Sequence, residues 1–301
     1  MDSHANQAGG TPGLVGAAQP GLAAPGSHAS ALRFGDLHAV PRTLLIPLAA
    51  RAHGARSFPW LACDDAVAAH LLDCLGADVH ALLEDKPTVL NILWRTRLIK
   101  AAGQAFFAAH PCSTGASLGC GLSHAFQWLD TGRNAWIDAD LPEVMALRGP
   151  LQPPEPSRRR HACIDLTVPG WWQRLALPEG PGAAPVFLLC EGVLMYLQPA
   201  QVQAVLAEFA EHAPPGSQWV CDVISQVGVG QAHRCPSLAP TGAEFHWGVQ
   251  DMADLAACHP RLRLLAQHSV AECYGWMGTV AEWCLRPWSP TPLYALVTLG
   301  V

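Results

Sequence analysis

The residues of this chain best suited to chemistry stand at the ends of short apolar runs. Gly119-Cys120-Gly121 closes one run, Asp138-Ala139-Asp140 closes the next, and Asp165 and Glu191 follow two more. In an open α/β sheet, ligands bind outside the carboxyl ends of the strands. Glycines there admit a ligand to the backbone, and an acid at the tip of the second strand accepts hydrogen bonds from ribose hydroxyls. Asp140 lies about 20 residues past the first glycine, as that fingerprint requires. Gly119 and Gly121 therefore predict a cofactor-binding turn, with Asp140 as the ribose acid. His124 stands where a dinucleotide motif has its third glycine, which argues against a pyrophosphate and for a nucleoside without phosphates.

The other two acids extend this reading. Asp165 and the backbone of Leu166 are placed to meet an adenine amino group, and Glu191, at the end of an apolar run, to hold the positive end of an amino-acid moiety. S-adenosylmethionine has a carboxylate, an ammonium, a sulfonium, a ribose and an adenine, and no phosphate. Acids without a Walker-type lysine suit that inventory better than they suit ATP. Two alternatives stay open: an NAD(P)-dependent oxidoreductase, which the glycine turn and Asp140 alone allow, and a cofactor-binding protein without catalysis. For the acceptor, Tyr196 is the candidate wall or hydrogen-bond donor, its alternative being an aromatic that closes the core. His124 and His246 are base candidates if the acceptor is a hydroxyl, and His246-Trp247 can face it. Arg51 and Arg148 can recognise an anion, although surface salt bridges are the simpler expectation for both. Trp171-Trp172 reads as a packing element.

The elements that must position these groups follow from periodicity. Strands are expected at 115–119, 135–139, 161–165, 186–190 and 218–223, with closing strands at 262–266 and 294–299. The alternation with helices argues for an α/β fold around a mostly parallel sheet covered on both faces. Before the first strand, Asp64-Asp65 opens a helix that Gly76 stops, and a second helix runs from about Thr88 to Ala109. This gives a helical layer over residues 31–110 and a sheet core over 111–301, together one domain. Pro199 starts a helix with Val202, Val205, Leu206 and Phe209 on one face, and residues 251–257 form another. Residues 226–248, rich in Gly, Pro and His, read as a functional insertion. Residues 1–30 hold almost no large apolar side chain and are expected to be disordered.

Composition narrows the classes. Half of the 301 residues are apolar, 14% are charged and the formal charge is −6. Arg158-Arg159-Arg160 is the one basic run and reads as a solvated loop, so no nucleic-acid partner is expected. There are 11 cysteines; Cys112, Cys120, Cys163, Cys190 and Cys221 fall in or beside predicted buried strands, where cysteine serves as a small hydrophobe. Without C-x-x-C or H-x-x-x-H spacing no metal site is expected. With neither a leader pattern nor a membrane-length apolar run, the expectation is a reduced, soluble, cytoplasmic protein with a small-molecule acceptor and no membrane partner.

The residues also resemble a known family. Arg95-Thr96-Arg97, Ser117-Leu118-Gly119-Cys120-Gly121-Leu122, Asp138-Ala139-Asp140-Leu141-Pro142, Ile164-Asp165-Leu166 and Glu191-Gly192-Val193-Leu194-Met195-Tyr196-Leu197 are similar to segments of the leucine carboxyl methyltransferases, which include polyketide O-methyltransferases of the tetracenomycin type. The resemblance covers roughly residues 40 to 225. It implies a class I methyltransferase (Rossmann-like) fold, a seven-stranded sheet whose last strand is antiparallel, with an N-terminal helical extension. It also implies S-adenosylmethionine as cofactor and O-methylation of a carboxylate or hydroxyl. On matching positions, Arg95 would hold the cofactor carboxylate, Gly119 and Gly121 the methionine portion, Asp140 the ribose, Asp165 and Leu166 the adenine, and Glu191 the amino group. Family members commonly follow the glycine turn with Asp-Thr-Arg, whereas this chain has Ser123-His124-Ala125, and Arg97 is the candidate to replace the lost pair.

Overall fold

Besides the short helix His80–Glu84, three helices precede the sheet in the computed structural model, which describes residues 43–301 apart from residues 64, 76–79, 152–155 and 288. They are α1 (Leu45–His53), α2 (Ala66–Leu75) and α3 (Lys86–Ala109). Asp65 caps α2 by accepting from Ala68 N at 2.9 Å; Asp64 and Gly76, the other expected ends of that helix, lie outside the described residues, as does the tail 1–30. Asp85 caps α3 through Thr88 N, with Pro87 in the first turn, so the helix begins two residues earlier than periodicity suggests. No helix of the described residues is long and apolar enough to cross a membrane.

The sheet comprises β1 (Thr114–Leu118), β2 (Ala135–Asp140), β3 (Arg159–Cys163), β4 (Val186–Cys190), β5 (Gln218–Ile224), β6 (Arg263–Ser269) and β7 (Tyr294–Gly300). Its order is β3-β2-β1-β4-β5-β7-β6, and β7 runs antiparallel to both β5 and β6. Side chains alternate between two cores. Ala116, Leu118, Ile137, Ala139, Leu188 and Cys190 face one side, packed on Val202, Leu206 and Phe209 of α5 (Pro199–His212). Trp136, Phe187, Leu189 and Val220 face the other, against Phe106 and Phe107 of α3. Burial on both faces is why these strands read as continuous apolar runs. Trp171 and Trp172 pack in the first core, as expected.

Between β2 and β3 runs α4 (Pro142–Arg148), and α6 (Met252–Ala257) precedes β6. Residues 226–248 fold into short helical turns. A further helix, α7 (Gly275–Leu285), joins β6 to β7; the sequence offers no clear signal for it, because Gly275 and Gly278 read as breakers.

Three local expectations fail. β3 starts at Arg159 rather than 161, and the arginine run is no solvated loop: Arg159 is buried, its Nε donating to Asp138 Oδ2 at 2.7 Å. A buried carboxylate on the adjacent strand draws the guanidinium into the sheet, which the apolar pattern cannot show. Arg51 and Arg148, expected at the surface, are 3% and 0% exposed. Cys112 and Cys163, expected to be buried, are exposed because each lies at or just beyond a strand end. Cys120, Cys190 and Cys221 are buried as expected.

Candidate functional site

A cavity of ≈ 690 Å³ opens at the carboxyl ends of β1, β2 and β4, under α1, α3 and the 226–248 segment. Gly119, Gly121, Arg95, Asp140, Asp165, Leu166, Glu191 and Tyr196, each expected at a site, all line it. From α3, Thr88, Asn91, Ile92 and Arg95 line the cavity at spacings of one helical turn and two, so one helix face forms a wall.

The glycine turn is fixed from two sides. Gly119 and Cys120 donate backbone N–H to Ala139 O, while Gly121 N donates to Asp140 Oδ2 at 2.6 Å. Gly119 has φ +66°, and a Cβ there would lie 2.4 Å from a methyl of Val193. Only glycine lets the turn pass that close to the β4 loop. Asp140 also accepts from Leu141 N at 2.7 Å. Burial pushes its carboxyl upward against these two backbone donors. Asp165, at the exposed rim, is shaped by Thr167, whose N and Oγ1 both donate to Oδ1.

Beside the turn runs a chain of charges. Arg51 Nε donates to Asp65 Oδ2 at 3.1 Å, and Arg95 Nε to Glu191 Oε1 at 2.7 Å. Arg95 Nη1 donates to Asp222 Oδ2 and to the Tyr294 hydroxyl, which itself donates to Asp222. Asp222 Oδ1 accepts from Gly192 N at 2.7 Å, fixing the turn after β4. Burial resists the charge on Glu191, but Arg95 and Arg51 together hold its carboxyl below the usual range. Burial pushes Asp222 upward against the pull of Arg95, and keeps Tyr294 protonated by raising it well above a free phenol.

Among the fully buried side-chain atoms of this charge cluster, one donor has no hydrogen-bond partner. Arg51 Nη1 lies 3.6 Å from Glu191 Oε1, is buried, and has no hydrogen-bond partner. An orphaned guanidinium N–H at a cavity wall costs stability unless an anion meets it. Arg95, expected to hold the cofactor carboxylate, lines the cavity with its Nε and Nη1 bonded to protein partners. The glycine cradle, the orphaned Arg51 donor and the acids at the strand ends fit the parts of S-adenosylmethionine. No group of three or more His, Cys, Asp or Glu among the described residues could hold a metal ion.

Several expectations fall outside this cavity. His124 does not line it; Arg159 Nη1 sits 2.8 Å from His124 Nε2, and burial followed by that guanidinium lowers the imidazole to about 4. His246 and Trp247 also stay out of the lining, donating backbone N–H to Met195 O. Arg97 is exposed and lines a separate groove with Trp60 and Lys100. Arg148 and Arg159, not Arg97, lie beside the glycine turn. Both pair with Asp138, and Arg148 Nη1 donates to Gly121 O at 2.8 Å. Sequence reasoning missed Asp222 and Tyr294, and offered Arg51 as an anion-binding residue only beside the simpler expectation of a surface salt bridge. Asp222 had a visible signal, a charge inside the apolar run Trp219-Val220-Cys221-Asp222-Val223-Ile224.

The mostly parallel seven-stranded sheet with its antiparallel β7, and the cleft at the β1, β2 and β4 ends, form a class I methyltransferase (Rossmann-like) fold. Residues 45–210 match the family described as leucine carboxyl methyltransferase. The chain belongs to that family and is an S-adenosylmethionine-dependent O-methyltransferase. It is 30% identical over 237 residues to the tetracenomycin polyketide synthesis O-methyltransferase TcmP of Streptomyces glaucescens, covering 78% of this chain and 85% of that protein. To the S-adenosyl-L-methionine-dependent methyltransferase dpfgK of Gibberella zeae it is 27% identical, covering 80% and 89%. Among solved structures it is similar to an S-adenosylmethionine-dependent methyltransferase from Mesorhizobium loti, with TM-score 0.43, 14% identity and coverage of 66% and 98%. It also matches LepI in complex with SAM, with TM-score 0.42 and 15% identity, spanning 67% of this chain and 46% of LepI. The family match and the relative at 30% identity favour the methyltransferase reading over the nicotinamide and non-catalytic alternatives.

Proposed function

We propose that the acceptor oxygen belongs to the carboxylate of an apolar small molecule. The observation behind this reading is the make-up of the wall: no histidine and no lysine lines the cavity among the described residues. Its lining includes Ile92, Met195, Leu238, Phe245 and Leu293, with Arg234 as a cation from the 226–248 segment. A hydroxyl acceptor needs a base, whereas a carboxylate is already ionised above about pH 5. Tyr196 is no base: burial raises its phenol to about 12, so it stays a hydrogen-bond donor, its ring 5.5 Å from that of Phe245.

S-adenosylmethionine, when bound, supplies an electrophilic methyl group on a sulfonium. In this reading Gly119 and Gly121 admit its methionine portion, Arg51 Nη1 meets its carboxylate, Glu191 its ammonium, Asp140 its ribose, and Asp165 with Leu166 its adenine. Arg95 acts as a positioning residue that holds Glu191. The three carboxylates Asp65, Glu191 and Asp222 face the two guanidiniums Arg51 and Arg95. The acceptor's carboxylate oxygen attacks the methyl carbon as the carbon–sulfur bond breaks, giving a methyl ester and S-adenosylhomocysteine with no proton to move. The protein's part is alignment and exclusion of water. The free cysteines support a cytoplasmic site of action.

The test is to incubate the enzyme with methyl-labelled S-adenosylmethionine and matched panels of apolar carboxylic acids and their hydroxyl analogues. Label that mild alkali releases as methanol marks an ester and supports the reading. Alkali-stable label, found only with the hydroxyl compounds, overturns it.

A further inference from the structure

Two side chains of the 226–248 segment line the cavity without a protein partner. Gln231 N donates to Gly228 O at 3.0 Å and Arg234 N to Gln231 O at 2.9 Å, so the backbone bonds here reach three residues back. In so tight a turn, side chains three residues apart eclipse one another. Gly228, Gln231 and Arg234 accordingly all line the cavity, whereas Ala232 and His233 between them do not. The Gln231 carboxamide makes no hydrogen bond among the described residues, and its Oε1 is fully buried. A buried acceptor without a donor costs stability. Arg234, exposed to solvent, likewise has no ion pair or side-chain hydrogen bond among the described residues. The other two arginines of the cavity wall, Arg51 and Arg95, are both bound to carboxylates.

We propose that Gln231 and Arg234 together select the acceptor: Arg234 pairs with its carboxylate, and Gln231 Oε1 accepts from a hydroxyl on the same molecule. This rests on the carboxylate reading above. Three residues of such a turn rise roughly 6 Å, so the hydroxyl stands a ring position away from the carboxyl rather than next to it. The substrate class is thus a hydroxylated apolar acid, its polar groups along one edge and its apolar body against Ile92, Leu238 and Phe245. An acid lacking the hydroxyl leaves the Gln231 oxygen unpaired and is rejected for that reason. Methylation removes the negative charge that Arg234 faces, so the ester is held less tightly than the acid.

Calorimetry on the full chain with S-adenosylhomocysteine bound tests this with three probes: a naphthoic acid bearing a meta hydroxyl, naphthoic acid itself, and the methyl ester of the first. Wild type should bind the hydroxy acid, losing about tenfold in affinity without the hydroxyl and at least tenfold as the ester. Gln231→Leu should bind the two acids alike, and Arg234→Met should bind the hydroxy acid and its ester alike. Both variants should keep the wild-type affinity for S-adenosylhomocysteine, since neither side chain has a protein partner to lose. The proposal is overturned if the hydroxy acid does not bind, if the variants keep the wild-type preferences, or if a variant loses S-adenosylhomocysteine as well. Methylation of the bound probe on its hydroxyl would overturn the carboxylate reading instead, with the binding preferences unchanged.

Discussion

At the scale of single residues, the charge cluster divides into buried donors already satisfied and one that is not. Arg51 Nη1 is the unsatisfied one, so Arg51→Met should raise the KM for S-adenosylmethionine more than tenfold, with Arg51→Lys intermediate. Asp140 keeps two backbone donors in place; Asp140→Asn preserves an acceptor for Gly121 N but loses the charge-assisted bonds. We expect a folded protein whose S-adenosylhomocysteine affinity drops at least tenfold by calorimetry. His124 gives a stability prediction. Its folded-state value, about 4, lies below that of a free imidazole, so the unfolded chain takes up the proton first. The stability this contributes is complete above about pH 6.5 and is lost as pH falls toward 4. Thermal melts should show a loss over that window that His124→Gln reduces. The glycines and the three acids were legible because a strand-end glycine or acid interrupts an apolar run. Arg51 and Arg148 were not, because burial of a charge depends on partners far away in sequence: Asp65 and Glu191 for one, Asp138 and Gly121 for the other.

The elements explain how the acceptor side is held. Asp85 caps α3 through Thr88 and also accepts from Ser237 N and Oγ, so one carboxylate ties the start of the wall helix to the 226–248 segment. Burial resists its charge, but the bonds from Ser237 and Thr88 outweigh it and leave the carboxyl below its ordinary range. Asp85→Ala should cost about 1–2 kcal/mol, as lost caps do, and raise the KM for the acceptor more than that for the cofactor. The glycine turn is the second such element. Gly119→Ala forces a side chain into Val193 at a positive φ, and should cost about 1–3 kcal/mol together with cofactor binding. Strands β1, β2, β4, β5 and β7 were readable to within a residue or so at each end from their apolar runs. β3 was displaced, because its alternating Arg and His residues carry no apolar signal and its register is set by pairing with β2.

The whole molecule is a class I methyltransferase whose sheet supplies one side of the cavity, proposed for the cofactor, and whose helical layer and 226–248 segment supply the side proposed for the acceptor. The first side was legible in the sequence because backbone chemistry at strand ends demands particular residue types. The second was not, since an apolar wall can be built from many residues in many orders. Activity on a carboxylic acid should be flat between about pH 6 and 9, because neither the acceptor nor any cavity-lining histidine titrates there; a sigmoid rise through neutrality would point to a base. The central claim concerns the cofactor site itself. Its most direct measurement is isothermal titration of the full chain with S-adenosylhomocysteine and with NAD(H). The account predicts one site per chain for S-adenosylhomocysteine, weakened at least tenfold by Asp140→Asn, and no heat with NAD(H). Binding of NAD(H) alone, or S-adenosylhomocysteine binding unchanged in that variant, would contradict it.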